Sequence, residues 1–269
     1  MKQQIHKLGS HKHEIDMRLK SNLIYLLVFS FVLLGCAAEK SVEEVEEVEE
    51  IVIPDNSLTE DEKALGWMLL FDGEDPAGWR AFNGTEFPEG WTVEDGALKA
   101  LGLGGDIGGD IVFGPLDFET FELEFTWKIG PGGNSGVFYH VVEGEQYKAP
   151  YETGPEYQLI DQLGFAEPLE DWQSIASDYG MYPGDVEGVV KPAGEWNISK
   201  IIFSRDKASY WLNGKKTLEF VPYSEDWEAR RNSGKWDDFP DYAKFRRGLI
   251  SLQDHGSEAW FKNIKIRPL

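Results

Sequence analysis

Apolar and polar residues alternate along much of the chain beyond residue 60. Phe121, Leu123, Phe125 and Trp127 interleave with Glu122, Glu124, Thr126 and Lys128. A period of two predicts a strand with one face buried and the other polar. The runs WTVEDGALKA, FETFELEFTWKIG, SGVFYHVV, EYQLID, ISKIIFSRD, ASYWLNGKKTLEF, RGLISLQDH and AWFKNIKI are all short and separated by Gly, Pro, Asn and Asp clusters. That punctuation predicts an all-β sandwich or barrel and argues against βαβ units. Asn213-Gly214, between SYWL and KKTLEF, is the strongest hairpin signal in the chain. Helical periodicity is confined to a short turn near 60–68 and a polar segment, Ser224 to Ala243, which reads as a short helix or a long loop.

The alternation also sorts polar side chains onto faces. In the stretch 131–161, Glu156, Gln158 and Ile160 share one side of a strand, while Tyr157, Leu159 and Asp161 share the other. In the preceding run Gly136, Phe138 and His140 alternate with Ser135, Val137 and Tyr139. Near the C-terminus Gly248, Ile250 and Leu252 alternate with Leu249, Ser251, Gln253 and His255. Several strands therefore bury one side and offer polar groups on the other, as in a sandwich whose second sheet floors a binding site. A plain hairpin with a decorated loop fits the 131–161 stretch equally well. Of the 10 tryptophans, Trp127 and Trp260 read as core, whereas Trp79, Trp91 or Trp196 could stack on a sugar ring.

The N-terminus has a different character. Lys2, Lys7, Lys12, Arg18 and Lys20 precede an apolar run from Leu23 to Leu34, too short to span a bilayer comfortably, and Leu33-Leu34-Gly35-Cys36 follows. This resembles the lipobox of bacterial lipoproteins, so residues 1–36 read as a signal peptide ending at a lipidated Cys36. The implied location is the cell envelope, on the periplasmic side or the cell surface. Residues 37–60 hold nine acidic residues against one lysine and read as a solvated tether. The globular part, 61–269, carries 37 acidic and 20 basic side chains. That balance excludes a nucleic-acid partner, which needs a basic footprint, and disfavours polyanionic polysaccharides. With Cys36 the only cysteine, thiol chemistry and disulfides are excluded from the globular part, whose only histidines are His140 and His255.

GWMLLFDGEDPAGWR, GWTVEDGALKA, GGDIVF, FELEFTWKIGPGGNSGVFYHV, YETGPEYQLID, KPAGEWN, WLNGKK and LQDHGSEAWFKNIKIRPL occur in that order across 61–269. Together they resemble the 3-keto-disaccharide hydrolase domain. The resemblance implies a concanavalin A-like jelly-roll β-sandwich that cleaves 3-keto-glycosides by elimination and hydration, with a partner oxidoreductase supplying the keto sugar. Such chemistry needs a base near neutral pH, a group for the enediolate oxygen and an acid for the leaving group. In the matching motifs, Glu156 and His255 are the candidates for base and acid. Gln158 and Gln253 would orient hydroxyls, and Lys191 of KPAGEWN would stabilise the oxyanion or leaving group. Asn134 and His140 would line the first strand, with Trp79 as a sugar platform, and Asp254, at a strand end, would turn inward or clamp the imidazole. A divalent metal held by His255 with Glu156 or another carboxylate would also polarise the ketone and its enediolate. Other readings of the same fold are a non-catalytic carbohydrate-binding module, a surface scaffold, or a conventional glycosidase using Glu122 and Glu124.

Overall fold

The computed structural model describes residues 53–103 and 109–269. The signal segment, Cys36 and most of the acidic tether lie outside the described residues. Helix α1 (Glu60–Ala64) opens with a capping box: Thr59 Oγ1 accepts from the Glu62 N–H at 3.1 Å, and the Glu62 carboxylate accepts from the Thr59 N–H at 2.8 Å. The strands that follow are β1 (Met68–Leu69), β2 (Trp79–Ala81), β3 (Trp91–Glu94), β4 (Ala97–Leu101), β5 (Ile111–Phe113), β6 (Phe121–Ile129), β7 (Asn134–Val141) and β8 (Glu156–Ile160). Then come β9 (Asn197–Phe203), β10 (Ala208–Leu212), β11 (Lys215–Phe220), helix α2 (Glu225–Arg231), β12 (Leu249–Leu252) and β13 (Glu258–Pro268).

These strands form two antiparallel sheets packed as a jelly-roll β-sandwich. The larger has eight strands in the order β11-β10-β9-β6-β13-β4-β3, with β1 also paired to β13; the smaller runs β2-β5-β12-β7-β8. Asn213 and Gly214 both take positive φ, 48° and 86°, as the two-residue turn joining β10 to β11 requires. Asp95 and Gly96 do the same between β3 and β4.

Between the sheets the alternation plays out as read from the sequence. Phe121, Leu123, Phe125 and Trp127 of β6 are buried against Val137, Tyr139, Tyr157 and Leu159 of the smaller sheet. Tyrosine hydroxyls tie the layers together: Tyr139 meets Tyr210 at 2.8 Å, and Tyr157 donates to Ser199 at 2.9 Å. Each buried hydroxyl thereby keeps the hydrogen bond it would otherwise lose on leaving water.

Three tryptophan expectations are corrected. Trp79 and Trp91 are core side chains whose indole N–H groups donate to the carbonyls of Leu70 and Gly109. Trp79 packs edge-on to Phe113 at 5.6 Å and is no sugar platform. Trp260 lies on the outer face of the larger sheet, with Lys128 at 4.2 Å from its ring, and is not core.

Candidate active site

The hairpin β7–β8 sets Gly136 opposite Gln158 and Phe138 opposite Glu156. Gly136 creates the room for the acid: a Cβ there would strike Oε1 of Glu156 and come within 2.9 Å of its Cγ and Cδ. On the other side of β7, the Gln253 N–H donates to the Gly136 carbonyl at 3.0 Å, which continues the polar face past the end of β12. Asn134, Glu156, Gln158, Gln253 and His255 thus meet on the outer face of the smaller sheet and floor a cavity of about 200 Å³.

Two covering segments complete it. Residues 176–179 run along the free edge of β8: the Gln158 N–H donates to Ser177, and the Ala176 and Tyr179 N–H groups donate back to Gln158 and Glu156. The strap 224–243 starts at the Ser224 cap of α2 and is pinned by aromatics. Trp236 stacks on Tyr242 with ring centres 3.4 Å apart, and its indole N–H donates to the Gly180 carbonyl at 3.2 Å. These segments bring Tyr179, Lys235 and Phe239 to the cavity, and Tyr151 reaches it from the turn Pro150–Glu152 between β7 and β8. Lys235 is an exposed residue whose ammonium sits 4.0 Å from the centre of the Tyr179 ring.

Electrostatics single out Glu156, only 4% exposed. Burial pushes its pKa up to about 8; the nearby Lys235 cation pulls against this, and Asp110 adds to it. Desolvation in turn holds Lys235 below the usual lysine range, although Glu156 opposes the shift. Asp110, behind the site, rises to about 7 through burial and the adjacent Asp254, against the Asp254 N–H that its carboxylate accepts at 2.9 Å. Oxygens of Asn134, Gln158 and Gln253 are buried with no hydrogen-bond partner. A carboxyl that changes state near neutral pH, facing acceptors ready for hydroxyl donors, is a site suited to proton transfer on a polyhydroxy ligand.

Five of the residues marked in the sequence are therefore together: Asn134, Glu156, Gln158, Gln253 and His255. Others lie elsewhere. Asp254, 1% exposed, does not line the cavity; its Oδ1 accepts from the Gly256 N–H and its own N–H donates to Asp110. Lys191 is exposed and donates to the Trp196 carbonyl at 2.7 Å. Trp196 lies beneath Lys128 and Lys262, not in the cavity.

His140 is turned inward by a β-bulge. Val141 pairs with Leu249 but Phe138 with Ser251, so Tyr139 and His140 together oppose Ile250, and His140 takes a φ of 55°. Its ring packs 4.7 Å from Phe203, its Nε2–H donates to the Glu119 carbonyl at 2.9 Å, and burial lowers its pKa to about 4. Gly248 makes this bulge possible, since a Cβ there would collide with the His140 backbone.

Glu122 and Glu124 face outward from the larger sheet and are engaged by Arg267, Lys200 and Lys265, so they do not form a cleft pair. Among the described residues no group of three or more His, Cys, Asp or Glu is placed to hold a metal ion, so Glu156 and His255 lack a third such ligand. Sequence reading missed Lys235, Tyr151, Tyr179 and Phe239. For Lys235 and Phe239 the available signal was the spacing of Trp227, Trp236, Phe239 and Tyr242 through a highly charged segment.

Comparison with known proteins places this geometry in context. The family model for the 3-keto-alpha-glucoside-1,2-lyase-like domain matches residues 66–267. A 3-keto-disaccharide hydrolase of Bacteroides thetaiotaomicron is 31% identical over 230 residues, which cover 76% of this chain and 79% of that protein. A crystal structure from Parabacteroides distasonis ATCC 8503, of a protein named as a glycosyl hydrolase, superposes with a TM-score of 0.74 at 47% identity, covering 80% of this chain and 100% of the other. A second protein so named from the same organism gives 0.54 at 27% identity, with 71% and 99% covered.

Proposed function

This glycoside hydrolase belongs to the family of 3-keto-alpha-glucoside-1,2-lyase-like domains, and we propose that it cleaves 3-keto-glycosides by elimination followed by hydration. The observation that carries the reading is Glu156, a buried carboxyl whose pKa of about 8 lets it take and return a proton near neutral pH, set in a cavity with unpartnered acceptor oxygens. A ketone acidifies the neighbouring C–H bond. Glu156 takes that proton, the electron pair forms a double bond to the anomeric carbon, and the glycosidic C–O bond breaks. His255, at the same cavity, supplies a proton to the departing oxygen. Water then adds its hydroxyl to the anomeric carbon and gives its other proton to His255, while Glu156 returns its proton to the adjacent carbon, so both residues regain their starting states. Asn134, Gln158 and Gln253 hold the ring hydroxyls, which fixes the reacting C–H against the base.

The same reading places the enzyme in the cell envelope, tethered through Cys36 by way of the acidic segment, and supplied with keto sugars by an oxidoreductase. Purified protein incubated with a 3-keto-glucoside is expected to release the aglycone. Absence of release, both with and without added divalent cation, overturns the proposal.

A further inference from the structure

The elimination assigned to this site builds negative charge on the ketone oxygen, and the lysine expected for that task, Lys191, is bonded to a main-chain carbonyl outside the cavity. The neutral amides give limited help: the Gln158 side-chain N–H already points to the Gln173 carbonyl at 3.4 Å. Among the described residues Lys235 is the one lysine or arginine lining the cavity. It comes from neither sheet nor any motif of the family resemblance, but from the turn Gly234–Asp238 in the strap.

We propose that Lys235 is a further catalytic residue, its ammonium receiving the charge that develops on the ketone oxygen as Glu156 removes the adjacent proton. The inference rests on the function proposed above. Three rings hold the ammonium in place, with centres 4.0 Å (Tyr179), 5.0 Å (Trp236) and 6.0 Å (Tyr151) away. Aromatic faces orient a cation without neutralising it, and they leave its N–H bonds for a ligand. No carboxylate among the described residues forms a salt bridge to it, in contrast to Lys99, Lys200, Lys215 and Lys265. A cation fixed in place before the reaction, at the mouth of a small cavity, costs no reorganisation when charge appears.

The placement also ties Lys235 to the base. The titratable groups facing Glu156 are Asp110 beside β5, Asp178 and Tyr179 on the edge segment, Tyr242 at the end of the strap, and Lys235. His255 shares the cavity lining and is cationic when it holds the proton it donates; Lys235 is the lysine whose fixed charge favours ionised Glu156. Lys235→Met is therefore expected to lower kcat by roughly 10²–10³-fold, with a smaller change in KM. It should also move the acid limb of the kcat/KM profile to higher pH, while Lys235→Arg returns the limb toward its original position. A purely structural lysine would not move that limb. An active wild type whose Lys235→Met variant keeps its kcat, or loses kcat with the acid limb unmoved, overturns this inference alone. Wild-type protein inert toward the 3-keto-glucoside overturns both it and the function proposed above.

Discussion

The two sheets of the sandwich treat their outward-facing acids in opposite ways. On the larger sheet Glu122 accepts from Arg267 at 2.6 Å and lies 3.1 Å from Lys200, while Glu124 is shared between Lys200 and Lys265. Although partial burial works against it, those cations hold the Glu122 pKa below the carboxylate norm. On the smaller sheet Glu156 is buried without a salt-bridge partner, and its pKa rises to about 8. An acid satisfied where it stands stays ionised and has little to offer a ligand. One kept from water and unpaired can exchange a proton at physiological pH. The second arrangement costs stability, and such costs gather where chemistry is done.

The sharpest way to break this contrast is to remove the exchangeable proton. Glu156→Gln keeps the shape and the hydrogen-bonding ends, and is expected to reduce aglycone release by about 10³-fold or more, with binding of the keto sugar, measured by calorimetry, changed only a few-fold. If the variant retains most of the activity, the base lies elsewhere. If the wild type binds sugar but never turns it over, the site is a carbohydrate-binding surface.

A second substitution tests the space and leaves the charge alone. Gly136→Ala places a methyl group against the Glu156 carboxylate, so the acid must swing aside while the strand pairing survives. A displacement of about 1 Å at a reacting group costs about 10²-fold in rate. The expected result is a kcat loss of that order with folding intact by circular dichroism. Unchanged kcat would show that Glu156 need not sit where Gly136 allows it.

Much of this was legible because period-two alternation is local information. It placed β6 through β13 and correctly grouped Glu156 with Gln158 and Gln253 with His255. It failed at His140 because one additional residue in a strand reverses every later side chain, and no residue type in VFYHVV announces the bulge; the requirement sits across the sheet, in Gly248. It failed at Lys235 because the strap's path is set by the Trp236–Tyr242 stack and the bond to Gly180, contacts between segments far apart in sequence. Trp79 was misplaced because a tryptophan in a short strand carries no mark of which side packs. The Phe113 ring and Leu70 carbonyl that hold it are tertiary partners.

The smallest effect sharpens the contrast through its sign. Glu122→Gln is expected to leave activity within about twofold and to cost about 1 kcal/mol at pH 7, a partly exposed ion pair contributing no more, which for a domain of this size lowers Tm by about 2–4 °C. Because the folded pKa of Glu122 is depressed, its contribution exists above the unfolded value of 4.5 and disappears as pH falls through the folded one. The Tm gap between wild type and Glu122→Gln should therefore close in acid. Glu156 is linked in the opposite direction. Its raised folded pKa gives stability that is complete below 4.5 and is lost as pH climbs through about 8. The Glu156→Gln variant should thus gain on the wild type as pH rises from 5 to about 8.5. Thermal melts of the three proteins at pH 4, 6 and 8.5 would show gaps moving in opposite directions. Parallel gaps would mean that both acids sit in the same kind of environment, and the distinction between a structural face and a reactive one would fail.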